Sequence, residues 1–334
     1  MSDYSQNDLE NAGARNASIE KFGRFVKDMP FFVEDITVYD PTTMHSENVA
    51  ESTDRIVTAL HAGESAVISS LFLEEPVVPD TMRTKFTRIA ARNGQNSRHG
   101  VFFGKMSLLG TSVSIAAKTF PDNDGHIDRA SVEELVKSHA VINSGMRTYE
   151  PLIIGRYDGT TYSISALEED TSTYDSIMWA DFAKDPPSNP GMIQKLRRTA
   201  ILTATLHNRG WGHGDYYPRN IASDISGKVF AIDWETAQIN GEVGDPEVQY
   251  ARAINDLYSL VTSFYHTPEH SFNPGIGLLS GVSIDDSLKL LDTYFLAPYI
   301  SERLKMCQSK SAERDVHQLI NEVHEVPDMI GYEA

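Results

Sequence analysis

Three polar side chains at fixed spacings mark one region of this 334-residue chain as a place where chemistry could occur. Asp215 and Asn220 are five positions apart, and Asp233 follows thirteen positions after Asn220, directly behind an apolar run. A carboxylate can accept the proton of a hydroxyl group, while an amide and a second carboxylate supply the oxygen ligands that Mg²⁺ prefers. The spacing therefore indicates a phosphoryl-transfer site in which Asp215 is the catalytic base, and Asn220 and Asp233 hold Mg²⁺ on the phosphates.

The residues around these side chains resemble a known pair of motifs. The stretch from His213 to Asn220 reads His-Gly-Asp-x₄-Asn, and the stretch from Ile232 to Glu235 reads Ile-Asp-Trp-Glu. Both are similar to the catalytic and metal-binding motifs of the aminoglycoside phosphotransferase and choline kinase group, whose members have a protein-kinase-like fold. The resemblance implies an α+β, bilobal fold with a small antiparallel β N-lobe and a mostly helical C-lobe. It also implies ATP and Mg²⁺ as cofactors.

Three positions distinguish the chain from eukaryotic-type protein kinases and favour a small-molecule acceptor. Gly214 stands where those kinases carry Arg, Tyr217 where they usually carry Lys, and Glu235 where they carry Gly. We therefore expect the γ-phosphate to move to a hydroxyl of a small molecule of amino-sugar or amino-alcohol type. The alternatives are an atypical bacterial or phage protein kinase, with a protein as substrate, and a non-catalytic kinase-like binding module.

The first half of the chain contains a candidate phosphate-binding lysine. Residues 84–120 read as three strands, and Lys118 lies near the end of the third, in a sequence that resembles the lysine-bearing strand of kinases. The next helix should carry the glutamate partner of this lysine. We expect Ser131 to cap that helix, with Glu134 three positions on in a capping box. The partner of Lys118 is therefore either Glu134 or Glu133.

Two further segments are expected to contact the nucleotide. Gly94, Ser97 and Gly100 fall in the loop between the first two strands, where backbone amides and a hydroxyl could approach phosphate oxygens. This loop lacks the full Gly-x-Gly-x-x-Gly pattern. After two more strands the chain should cross between lobes near Glu168, where the resemblance implies that backbone groups bind the adenine edge.

These assignments predict three regions. Residues 1–80 form an N-terminal extension, of which about the first 20 residues are polar and read as a flexible tail. Residues 81–168 form the nucleotide-binding N-lobe, and residues 169–334 form the C-lobe, which binds the acceptor and carries the catalytic residues. The clearest helix of the C-lobe begins at Pro190, after Asn189 as cap, and ends before Gly210.

Several residues near the motifs have supporting or competing interpretations. Asp256 is expected to anchor the backbone of the catalytic loop, and His213 to stabilise the same loop by hydrogen bonding. Arg219 could contact the transferring phosphate or pair with a structural carboxylate, and the second interpretation is favoured. Four aromatic side chains could bind a quaternary amine or pack in the core, and packing is preferred. They are Trp211, Tyr216, Tyr217 and Trp234.

Composition limits the class of protein. The formal net charge of −18 argues against nucleic acid as the principal partner, because phosphate binding needs a basic face, but it is compatible with a cationic acceptor. The single cysteine, Cys307, excludes an internal disulfide and a Cys-based zinc site. No apolar run approaches the roughly 18 residues of a membrane span, and signal-peptide features are missing at the start. We therefore expect a cytoplasmic protein without a membrane partner.

Overall fold

The chain divides into two compact units, of which the first comprises Met1–Gly145 with Tyr149–Glu168 and the second Met146–Thr148 with Glu169–Ala334. The computed structural model describes part of each unit. The described residues are 36–39, 41–62, 66–69, 90–91, 100–108, 111–121, 125–157, 159–167, 172–173, 190–239, 246–265, 289–306 and 310–325.

A seven-stranded sheet dominates the first unit. Its strands are β1 Ile36–Tyr39, β2 Ala66–Ser69, β3 Ala90–Ala91, β4 Gly100–Leu108, β5 Thr111–Pro121, β6 Glu150–Tyr157 and β7 Thr160–Leu167. They have the order β1-β2-β6-β7-β5-β4-β3, and neighbouring strands are antiparallel except for β1 and β2, which run parallel. The five consecutive strands expected from the sequence correspond to β3–β7, although only Ala90–Ala91 of the first is described.

The segment expected as an N-terminal extension contributes to the same unit. β2 pairs with β6 at one edge of the five-stranded core, and β1 adds to β2. Helix α1, Val49–Ala62, packs against helix α2, Arg129–Asn143. The side-chain amide of Asn143 also donates a hydrogen bond to the carbonyl oxygen of Met44 at 2.7 Å. Residues before position 80 thus supply two strands and a helix of the first unit.

Strand β5 positions Lys118 through its alternating pattern. Over residues 114–119, buried and partly exposed positions alternate, as the two-residue period of a strand requires. Ile115 and Ala117 are buried, whereas Lys118 belongs to the partly exposed set. The strand therefore packs one set of side chains into the core and leaves the lysine on the other side.

Helix α2 begins earlier than the sequence predicts. Its N-cap is Asp128, whose carboxylate accepts a hydrogen bond from the backbone amide of Ala130 at 3.0 Å. Ser131, the expected cap, lies inside the first turn, and its hydroxyl donates to the carbonyl oxygen of Asp128 at 2.7 Å. The prediction of Ser131 as cap is wrong, because a carboxylate three positions earlier already satisfies an amide of the first turn. Glu134 is therefore not part of a capping box.

Helices make up most of the described second unit. The elements are β8 Ser172–Thr173, α3 Pro190–Asn208, β9 Ile221–Ser223, β10 Val229–Ala231, α4 Pro246–Tyr265, α5 Ala297–Met306 and α6 Lys310–His324. α3 packs against α5 and against the π-helical turn Asp292–Leu296 that precedes α5, and α4 packs against α6. The three strands form a small antiparallel sheet with the order β10-β9-β8. None of the helices in the described ranges is long and apolar enough to cross a membrane.

Helix α3 has the predicted bounds and leads into the loop that carries Asp215. It ends at Asn208, and Gly210 follows with a φ of +71°, a left-handed conformation that favours glycine. One side of the helix is buried, and its fully buried members include Leu196, Ala200, Ala204 and Leu206. The expected cap Asn189 lies outside the described residues.

Candidate functional site

In the first unit, Lys118 of β5 and Glu134 of α2 form an ion pair. Lys118 Nζ lies 2.7 Å from Glu134 Oε1, and both side chains are largely shielded from water. Glu133 instead faces Lys137 of the same helix, with 3.3 Å between Nζ and Oε1. The structure thus decides between the two glutamates in favour of Glu134, the residue that the sequence named first.

The other residues predicted to contact the nucleotide are placed only in part. Gly94, Ser97 and Glu168 lie outside the described residues. Gly100 is the first residue of β4 and pairs with Thr119 of β5. The expected phosphate loop therefore enters the sheet within one residue pair of Lys118.

In the second unit, Asp256 of α4 fixes the backbone just before Asp215. Its Oδ2 accepts a hydrogen bond from the amide of His213 at 2.7 Å, and its Oδ1 accepts one from the amide of Gly214 at 2.8 Å. The carboxylate is buried, so both hydrogen bonds are charge-assisted and sheltered from water. The predicted anchoring role of Asp256 is confirmed.

Glycine is the only residue type that this loop accommodates without strain at position 214. Its φ is +81°, and a Cβ atom there would lie 2.7 Å from the carbonyl oxygen of Thr236. The hydroxyl of Thr236 also donates to the carbonyl oxygen of His213 at 3.1 Å. The glycine that distinguishes this motif from that of protein kinases is therefore required by close contact with the segment after Asp233.

Two side chains hold the carboxylate of Asp215. The side-chain nitrogen of Asn220 donates to Asp215 Oδ2 at 2.7 Å and to the Asp215 carbonyl oxygen at 2.8 Å. Arg219 Nη2 donates to Oδ1 and Oδ2 at 3.0 and 3.1 Å. Because the nitrogen of the Asn220 amide is engaged by Asp215, its oxygen is the atom available to a metal ion. The expectation that Arg219 pairs with a structural carboxylate is thus corrected, since its partner is the proposed base.

Asp233 follows β10 with a φ of +67°, the one positive value of a non-glycine residue in the described ranges. Both neighbours of Asp233 are held in place. The amide of Ile232 donates to the carbonyl oxygen of Asn220 at 2.9 Å, and the indole of Trp234 donates to the hydroxyl of Thr148 at 2.8 Å. Backbone strain that the surroundings enforce in this way is found mostly at functional sites.

The carboxylates of Asp233 and Glu235 fit a divalent cation. A carboxylate oxygen of each residue lies within 4.8 Å of one of the other, and both residues are partly exposed. Carboxylate oxygens suit Mg²⁺ better than a transition metal, and the amide oxygen of Asn220 is a donor of the same kind. The residues present therefore fit the metal that the resemblance implies.

His213 connects the two motifs. Its Nε2 donates to the carbonyl oxygen of Ile232 at 2.9 Å, and its ring packs against Trp234 and Tyr216, with centroid distances of 4.9 and 5.4 Å. Burial lowers the pKa of His213 below its usual value. The ring is therefore neutral and carries its proton on Nε2, because a carbonyl oxygen can only accept. His213 supports the loop, as the sequence predicts.

A buried hydrogen-bond chain extends from Asp256 to α5. His207 Nε2 lies 3.3 Å from Asp256 Oδ2, and His207 Nδ1 lies 2.8 Å from the hydroxyl of Tyr299. A carboxylate only accepts, so Nε2 carries the proton and Nδ1 accepts from Tyr299. Burial lowers the pKa of His207, which keeps the ring neutral. The sequence identifies His207 as a packed residue but gives no sign of Tyr299, since its partner is 92 positions away.

The aromatic side chains near the motifs pack in the core. Trp211, Tyr216 and Trp234 are at most 5% exposed. Tyr217 is partly exposed, but the guanidinium carbon of Arg219 lies 4.8 Å from the centroid of its ring. The preferred interpretation of these residues as packing residues is confirmed for the three buried rings.

Comparisons with known proteins find similarity among solved structures. No family model matches the chain, and no curated protein matches it. Among solved structures, the chain is similar to "WaaP in complex with acyl carrier protein", with a TM-score of 0.39 and 14% sequence identity, over 76% of this chain and 91% of that chain.

Proposed function

We propose that this protein is an ATP- and Mg²⁺-dependent phosphotransferase that moves the γ-phosphate to a hydroxyl group of a small molecule. One observation carries the proposal: Asp215, Asn220 and the segment of Asp233 belong to a single hydrogen-bonded structure. The side-chain amide of Asn220 donates a hydrogen bond to the Asp215 carboxylate at 2.7 Å. The backbone carbonyl oxygen of Asn220 accepts a hydrogen bond from the amide of Ile232, next to Asp233, at 2.9 Å. The segments that carry the three side chains are thus hydrogen-bonded to one another in the second unit, which supports treating them as a set.

Each of these residues has a chemical task in the transfer. The acceptor oxygen forms a bond to the γ-phosphorus, the bond from that phosphorus to the bridging oxygen breaks, and ADP leaves. The proton of the acceptor hydroxyl passes to the carboxylate of Asp215, which Asn220 and Arg219 hold in one orientation. Phosphoryl transfer depends mainly on positioning and charge neutralisation, so a fixed carboxylate is sufficient as base.

The remaining residues would bind the nucleotide and its metal. Asn220, through its amide oxygen, and Asp233 would hold Mg²⁺, with Glu235 nearby to assist. When bound, Mg²⁺ neutralises charge on the phosphate oxygens. Lys118, which Glu134 orients in the first unit, would bind phosphate oxygens of the nucleotide. ATP rather than GTP, and an acceptor of amino-sugar or amino-alcohol type, rest on the family resemblance alone.

A protein acceptor is the second candidate, and Arg219 favours it. Protein kinases usually carry a lysine two positions after the catalytic aspartate, and Tyr217 occupies that position here. Arg219 nevertheless places a guanidinium on the Asp215 carboxylate, at 3.0 and 3.1 Å. The base therefore has a cationic neighbour in spite of the missing lysine, and this weakens the sequence-based objection to a protein kinase.

Transfer of label from γ-labelled ATP with Mg²⁺ tests the proposal. The protein is incubated with a cell extract, and products are separated into protein and small-molecule fractions. Asp215→Ala is the inactive variant, and Asp292→Ala, which removes a half-exposed carboxylate paired with His324 on the π-helical turn, is the matched control. Label in small molecules that disappears only in Asp215→Ala supports the proposal, whereas label in protein supports the second candidate. If the protein binds nucleotide but no label transfer depends on Asp215, the protein would be a non-catalytic binding module.

A further inference from the structure

Arg219 suggests what kind of acceptor the site takes. We propose that Arg219 binds an anionic group of the acceptor, a phosphate or a carboxylate, next to the hydroxyl that receives the phosphate. This inference rests on the proposed function and narrows its substrate class. It is opposite in sign to the cationic acceptor that the family resemblance implies.

The aromatic side chains near the motifs are poorly placed to bind a cation. An aromatic ring attracts an ammonium group only when the cation can approach its face. Three of the four rings near the motifs are buried, and they are Trp211, Tyr216 and Trp234. The ring of Tyr217 is partly exposed, but it already has the guanidinium of Arg219 over it, at 4.8 Å from the centroid. One face of the single partly exposed ring among these four is therefore taken by a protein cation.

Arg219 has hydrogen-bond donors that Asp215 does not engage. Nη2 alone contacts the Asp215 carboxylate, at 3.0 and 3.1 Å from its two oxygens. An arginine has five N–H donors in a rigid, planar fork. Among the described residues, Nε and Nη1 have no hydrogen-bond partner, and the Arg219 side chain is 54% exposed. The guanidinium is thus held by Asp215 and Tyr217, with three N–H donors left for a ligand.

A ligand at Arg219 meets the local charges of the site and not the net charge of the chain. The net charge of −18 is spread over the whole chain, and charges more than about 10 Å apart are largely screened at 0.1 M salt. The charges closest to a ligand group at Arg219 are therefore its own guanidinium and the Asp215 carboxylate, which engages Nη2 and leaves Nε and Nη1 to the ligand. The N–H groups of Nε and Nη1 point to different sides of the guanidinium, and each can donate to an oxygen of a carboxylate or phosphate, whereas an ammonium group offers them no acceptor. The local geometry thus selects for an anion.

Probe binding tests the inference with the γ-phosphate position filled. The full chain is first titrated with the β,γ-imido analogue of ATP and Mg²⁺, and binding is measured by calorimetry. The saturated complex is then titrated with methyl phosphate, with acetate and with choline, and dissociation constants are measured by NMR. Arg219→Gln removes the charge, and Arg219→Lys keeps the charge but loses the fork. Arg129→Gln is the matched control, since Arg129 is also about half exposed, at 51%, and paired with a carboxylate, that of Asp54.

We expect at least one of the two anions to bind the wild-type complex more tightly than choline does. This binding should weaken at least tenfold in Arg219→Gln, recover in part in Arg219→Lys and stay unchanged in Arg129→Gln. The anion that binds more tightly identifies the acceptor group as phosphate or carboxylate.

Three results would overturn the inference and leave the proposed function standing. They are tighter binding of choline than of either anion, anion binding that Arg219→Gln does not affect, and anion binding that appears only when ADP replaces the analogue. The last would show that Arg219 contacts the transferring phosphate instead of the acceptor. Failure of the analogue to bind in the first titration would remove the proposed function itself, and this inference with it.

Discussion

The buried carboxylate of Asp256 accepts the backbone amide of His213 at 2.7 Å, and this contact positions the loop that carries the proposed base. Its other oxygen accepts the amide of Gly214, so two consecutive amides depend on one carboxylate. Asp215 follows directly. The orientation of the base is therefore set by a residue on α4 that need not contact the substrate.

Asp256→Asn tests this anchor. An asparagine offers one acceptor oxygen where two amides now bind, so one buried amide loses its partner. We expect the free energy of unfolding to fall by about 1–3 kcal/mol, the usual cost of an unsatisfied buried donor. Phosphate transfer should fall more steeply than this loss of folded protein explains. Chemical unfolding and label transfer are measured in parallel. Asp292→Asn, at a half-exposed carboxylate that pairs with His324, is the control. Wild-type activity in Asp256→Asn would refute the anchor.

The hydroxyl of Tyr299 is expected to influence transfer from a distance. It donates to His207 Nδ1, which fixes the proton on Nε2 toward Asp256. Tyr299→Phe leaves that acceptor without a donor, at a cost of about 1 kcal/mol in unfolding free energy. We expect kcat to fall severalfold with an unchanged KM for ATP. Tyr294→Phe, which keeps the ring over Arg197, is the control, and a loss of stability without any change in kcat would show that Tyr299 is only structural.

Gly214→Ala and Gly145→Ala separate two effects of a side chain. Both glycines have a left-handed φ, +81° and +82°, so alanine is strained at either position by about 1–3 kcal/mol. A Cβ atom at position 214 would in addition lie 2.7 Å from the carbonyl oxygen of Thr236, whereas a Cβ atom at position 145 would have no described heavy atom within 4 Å. We therefore expect Gly214→Ala to be the less stable variant by thermal unfolding, and the only one to lose activity. Equal effects would mean that the segment after Asp233 moves aside easily.

The sequence was informative where chemistry and local spacing coincide. The bounds of α3 could be predicted, because helix-terminal residues are local signals. The set Asp215, Asn220 and Asp233 stays a prediction from motif spacing. The N-cap of α2 was predicted wrongly, since Asp128 and Ser131 are both good capping residues and only the backbone decides between them. Tyr299 could not be predicted at all. Its role depends on tertiary packing between α3 and α5, which leaves no pattern in the sequence.

Glu134→Gln should weaken nucleotide binding, and Glu133→Gln should not. Glu134 pairs with Lys118 at 2.7 Å, whereas Glu133 pairs with Lys137 at 3.3 Å on the same helix. Without its carboxylate partner, Lys118 is no longer oriented, and we expect the dissociation constant of the ATP analogue to rise about tenfold, or ~1.4 kcal/mol. Calorimetric titration of both variants gives the comparison. A larger effect for Glu133→Gln would reverse the assignment.

Glu150 should make the stability of the first unit depend on pH. Burial raises the pKa of this glutamate to about 7 in the folded protein, from an ordinary value of 4.5. A raised pKa means that the folded state binds the proton more tightly, so the stabilisation is fully present below pH 4.5 and is lost as pH rises through about 7.

Glu150→Gln mimics the protonated side chain and should remove this dependence. The variant should match the wild type near pH 5 and exceed its unfolding free energy at pH 8. His139 opposes the trend in both proteins, because burial lowers its pKa to about 4 and its contribution is lost only as pH falls below 6.5 toward that value. Urea unfolding at the two pH values, with exposed Glu47→Gln as control, measures the difference. A constant difference between variant and wild type across this range would mean that Glu150 ionises in the folded state as it does in the unfolded chain.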